Sequence, residues 1–95
     1  MRSTETSAQE LRVIIVALLE ELRLREISLD VFSSAVTQLN FDPRFNDEIS
    51  YVDPNLAEII EDIAPDIEVE PEFANEKLER IRHLLIDRRA AKKES

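Results

Sequence analysis

The 95-residue chain contains no glycine, no cysteine and no tryptophan, and a single histidine. Without glycine there is no P-loop, no GxGxxG dinucleotide fingerprint and no glycine-built nest for phosphate. Without cysteine there is no disulfide framework, no thiolate metal site and no cysteine nucleophile. One histidine excludes a two-histidine zinc site. Cations are scarce as well: 12 Lys and Arg face 21 Asp and Glu, a net charge of −9. That sign argues against direct binding to nucleic acid and against docking on anionic lipid. The longest apolar run, Val13 to Leu19, has seven residues, against the roughly 20 that a membrane helix needs. It does not suit a signal peptide either, because Glu5 and Glu10 precede it and Glu20 and Glu21 follow it. The cytoplasm is the expected location, and the lack of cysteine is compatible with it.

What is present is amphipathic. Hydrophobic residues make up 43% of the chain and charged residues 35%, a balance that suits one small folded domain. A chain of this length buries only about 60–65% of its unfolded surface, so a deep substrate cleft is not expected. Residues 1–6 and 90–95 read as frayed tails. Ser7-Ala8-Gln9-Glu10 has the form of a capping box. It predicts a helix to about Leu24 that carries Leu11, Ile14, Ile15, Leu18 and Leu22 on one face. Val13, Val16 and Leu19 widen that face enough for packing on two sides.

Ser28 is the expected N-cap of a second helix, with Ile27 and Phe32 placed as a hydrophobic staple. Phe32, Ala35, Val36 and Leu39 form its stripe. Residues 40–53 read as a long irregular acidic loop, tacked down by Phe41, Phe45, Ile49 and Tyr51. It is no calcium loop: Arg44 holds a ligand-side position and the turn glycine is missing. Asp53-Pro54 opens a third helix with Leu56, Ile59, Ile60 and Ile63 inward, worth roughly 6–12 kcal/mol of gross burial. Pro65 is expected to end it. Residues 65–71 then alternate, and read as an extended crossover with its acids outward. A last helix from about Glu72 carries Ala74, Leu78, Ile81 and Leu85, with Phe73, Leu84 and Ile86 beside them, and fades after Arg89. The expected fold is all-α: a small antiparallel four-helix bundle with one long acidic loop.

The charge is uneven. Residues 1–39 carry net −2, residues 40–76 net −11 and residues 77–95 net +4. Arg44 is the one cation between 40 and 76. Basic residues near a helix C-terminus suit its dipole, and acids gather on solvated faces. A dense cluster of like charge nevertheless costs stability, and persists more readily when a partner uses it. The candidate partner-binding residues are Asp47, Glu48, Tyr51 and Asp53 in the loop, Glu58, Glu61 and Asp62 on the third helix, and Asp66, Glu68 and Glu70 on the crossover. Tyr51 joins them because tyrosine is enriched at binding hot spots, although a core position with a satisfied hydroxyl is the alternative.

Catalysis is not expected. His83 between Glu79 and Asp87 has the spacing of an exposed ion-pair ladder, and ligands on one helix cannot surround a metal. Glu58, Glu61 and Asp62 lack the desolvated cleft that would set two carboxylates apart as acid and base. Ser28, Ser33, Ser34 and Ser50 have no plausible base. No cofactor is expected.

The order of parts resembles the colicin D-type immunity proteins, small helical proteins that bacteria make against their own nuclease toxins. The likeness covers about residues 10–88. It lies in the amphipathic first helix, Ile27-Ser28-Leu29-Asp30-Val31-Phe32 at the second, the acidic third helix and crossover, and the closing Leu78…Ile81…Leu85 helix. The resemblance implies a protein that occupies the basic cleft of a tRNA-cleaving toxin. Glu58, Glu61, Asp62, Asp66 and Glu68 would then stand in for tRNA phosphates. The long 40–53 connection departs from a minimal bundle and leaves open which loop touches the partner. Two functions thus stand beside each other. One is an acidic inhibitor or immunity protein. The other is a helical interaction or homodimerisation module, in which the stripe of the first helix would meet its own copy.

Overall fold

The computed structural model describes residues 4–94, with side chains described as far as Leu85. Among them the regular structure is all helical: α1 (Thr4–Arg23), α2 (Leu29–Gln38), the single turn α3 (Ile49–Val52), α4 (Pro54–Glu58), α5 (Ala64–Val69) and α6 (Ala74–Glu94). Short 3₁₀ turns, Leu39–Phe41 and Pro71–Phe73, extend α2 and lead into α6.

α1 opens at Thr4, so Ser7 is no cap; it lies buried within the helix. The helix closes without glycine. Arg25 takes a left-handed φ of 62°, Arg25 N–H donates to Leu22 O, and Glu26 N–H donates to Glu21 O. This is the Schellman arrangement, with an arginine where glycine is favoured. α2 begins as expected: Ser28 Oγ accepts from Val31 N–H at 3.3 Å.

The loop after α2 is more ordered than its composition predicts. Asn46 Oδ1 accepts from Glu48 N–H (2.9 Å) and Ile49 N–H (3.3 Å), and this side-chain turn starts α3. Ile49 is fully buried and Phe45 packs against the core. Phe41 and Tyr51, expected to help hold the loop down, are 83% and 89% exposed.

Pro65 does not end the third helix. α4 continues through a π turn, Ile59–Ile63, straight into α5. Ala64 N–H donates to Ile59 O, one residue further back than in an α-helix. In a regular α-helix the ring of Pro65 would crowd the Glu61 carbonyl and leave it unpaired. The widened turn absorbs that misfit and puts Pro65 in the first turn of α5. Residues 65–69 are therefore helical, not extended. Ile67 is buried while Val69 is 78% exposed.

The core joins all of these elements. Leu11 and Ile15 of α1, Phe32 and Val36 of α2, Ile49, Leu56, Ile59, Ile60 and Ile81 are fully buried. α2 packs chiefly on α5, α1 on α3 and α2, and α6 on α4. α6 runs on to Glu94; residues 1–3 and 95, named above as parts of the tails, lie outside the described residues, as does the side chain of Ile86. No helix among the described residues is long and apolar enough to cross a membrane.

Candidate functional site

The ten candidate residues fall into three groups. Asp53 is the first and is a correction: it is 1% exposed and cannot meet a partner. Its position follows from its cap. Oδ1 accepts from Leu56 N–H at 3.1 Å, which starts α4. Oδ2 accepts from Arg12 Nη1 at 3.3 Å, and Arg12 Nη2 donates to Leu85 O at 3.0 Å. One carboxylate and one guanidinium thus join α1, α4 and α6. Asn55 adds a second tie, Nδ2 to Leu84 O at 3.3 Å. Arg12 was not singled out from the sequence. The signal was there: it is the one charged residue between Glu10 and Glu20, set in an apolar run.

The second group lies beside two cations of α6. Arg80 Nε donates to Glu58 Oε2 at 2.7 Å, and Nη2 reaches the same oxygen. Lys77 Nζ lies 3.6 Å from Asp66 and 3.9 Å from Glu70. These three acids thus meet cations of the last helix, although Asp66 and Glu70 are exposed.

The third group is presented outward. Asp47, Glu48 and Tyr51 on the α3 segment, Glu61 and Asp62 on the π turn and Glu68 on α5 are exposed. Glu48 Oε2 accepts from Thr4 Oγ1 at 2.7 Å, which fixes that side chain against α1. Glu61, Asp62 and Glu68 make no ion pair among the described residues. The buried faces of the same segment hold them on a rigid support, since Ile59, Ile60, Ile63 and Ile67 are all inside.

A further acid is pinned beside the loop. Asp42 accepts from the Arg44 side chain through both oxygens, at 2.9 and 2.7 Å, and from Arg44 N–H at 2.8 Å. These bonds hold its carboxyl well below the usual range, at about 2. Arg44 also lies 3.7 Å from Glu10 on α1. The one cation of the acidic third is therefore committed to holding the loop.

His83 is exposed, and Glu79 accepts from Arg82 at 2.8 Å; the Asp87 side chain of the expected ladder lies outside the described residues. No group of three or more His, Asp or Glu among the described residues could hold a metal ion. No protein family, curated protein or solved structure matches this chain.

Proposed function

We propose that this protein is a non-catalytic inhibitor that binds a basic macromolecular partner through Glu61, Asp62 and Glu68, with Asp47, Glu48 and Tyr51 flanking. The partner we favour is the substrate cleft of a nuclease, as in an immunity protein that protects its own cell from a tRNA-cleaving toxin. Carboxylates on a rigid helical support take the place of the phosphates such a cleft is built to hold. Complex formation would occur in the cytoplasm of the producing cell and would need neither cofactor nor membrane.

The observation that carries this reading is the division of the acids by α6. Arg80 pairs with Glu58, and Lys77 is shared between Asp66 and Glu70, while Glu61, Asp62 and Glu68 point outward on the same helical run and make no ion pair among the described residues. Charges arranged this way steer a basic partner at high on-rate and lose their pull as salt rises. The test uses the immobilised protein and a lysate of its host. The wild type should retain a basic protein that elutes as salt rises, and Glu61→Lys/Asp62→Lys/Glu68→Lys should not. Equal capture by the reversed variant would contradict the proposal.

A further inference from the structure

We draw no further inference here: the strongest candidate, the apolar groove between α1 and α6 that leaves Val13 and Val16 exposed, carries none, because its charged residues Arg12, Glu20, Arg23, Glu79 and Arg82 are ion-paired within the chain and nothing in the structure shows what covers it.

Discussion

Removing the Asp53 carboxylate should be the most damaging single change to an acid in this chain. Asp53→Ala loses the α4 cap, which is worth about 1 kcal/mol. It also strands Arg12, whose side chain is 14% exposed. Breaking a buried pair costs about 3–5 kcal/mol. Arg12 keeps its bond to Leu85 O and some water, so about 2 kcal/mol is the appropriate share. The expected total of about 3 kcal/mol is a large part of the stability of a domain this size. Asp53→Asn retains the cap and should cost about 2 kcal/mol. Urea unfolding followed by the helical circular dichroism signal measures both, with the midpoint moving by roughly 2 M for Asp53→Ala. A double-mutant cycle with Arg12→Met should return a coupling of about 1–2 kcal/mol. Asp53→Ala within about 0.5 kcal/mol of wild type, or a coupling indistinguishable from zero, would refute the assignment of this pair as the joint between α1, α4 and α6.

Three smaller effects follow from the same geometry. Asp42 titrates at about 2 in the fold and at about 3.9 when unfolded. Its stabilisation is therefore present above the unfolded value and lost as pH falls through the folded one. Urea midpoints measured between about pH 4 and 2 should fall less steeply for Asp42→Asn than for the wild type. Arg25→Gly should stabilise by up to about 1 kcal/mol in thermal unfolding, because glycine takes the left-handed C′ conformation without strain. Thr37→Val should also stabilise, by about 1 kcal/mol, because Thr37 Oγ1 is buried without a hydrogen-bond partner among the described residues; a loss of stability would show that the hydroxyl is satisfied.

Helix caps and apolar stripes were legible because they are local. Ser28 and Asp53 were read from their own few neighbours, and Leu56, Ile59, Ile60 and Ile63 from spacing. Pro65 misled because a proline usually ends a helix. The apolar stripe nevertheless continues through it, from Ile60 to Ala64 to Ile67, at the same helical interval. That continuity was the signal for a helix, while alternation of Ile67 and Val69 fits either geometry. The loop hid its order in Asn46, whose side chain starts α3. Least legible was which acids remain available. Glu58 and Arg80 are 22 residues apart, and Lys77 reaches Asp66 and Glu70 only because α6 packs back on α4 and α5. Charge counting locates the acidic third of the chain; only the packing shows which acids meet cations of α6 and which meet none among the described residues. The width of the α1 stripe was also legible, but not that part of it stays uncovered within one chain.

The central claim is that Glu61, Asp62 and Glu68 attract a cation-lined partner. The association rate of the captured partner on the immobilised protein, measured against ionic strength, tests it most directly. A steep fall with salt for the wild type, and no association for the triple lysine variant, is the predicted result. A rate indifferent to both salt and charge reversal would contradict it.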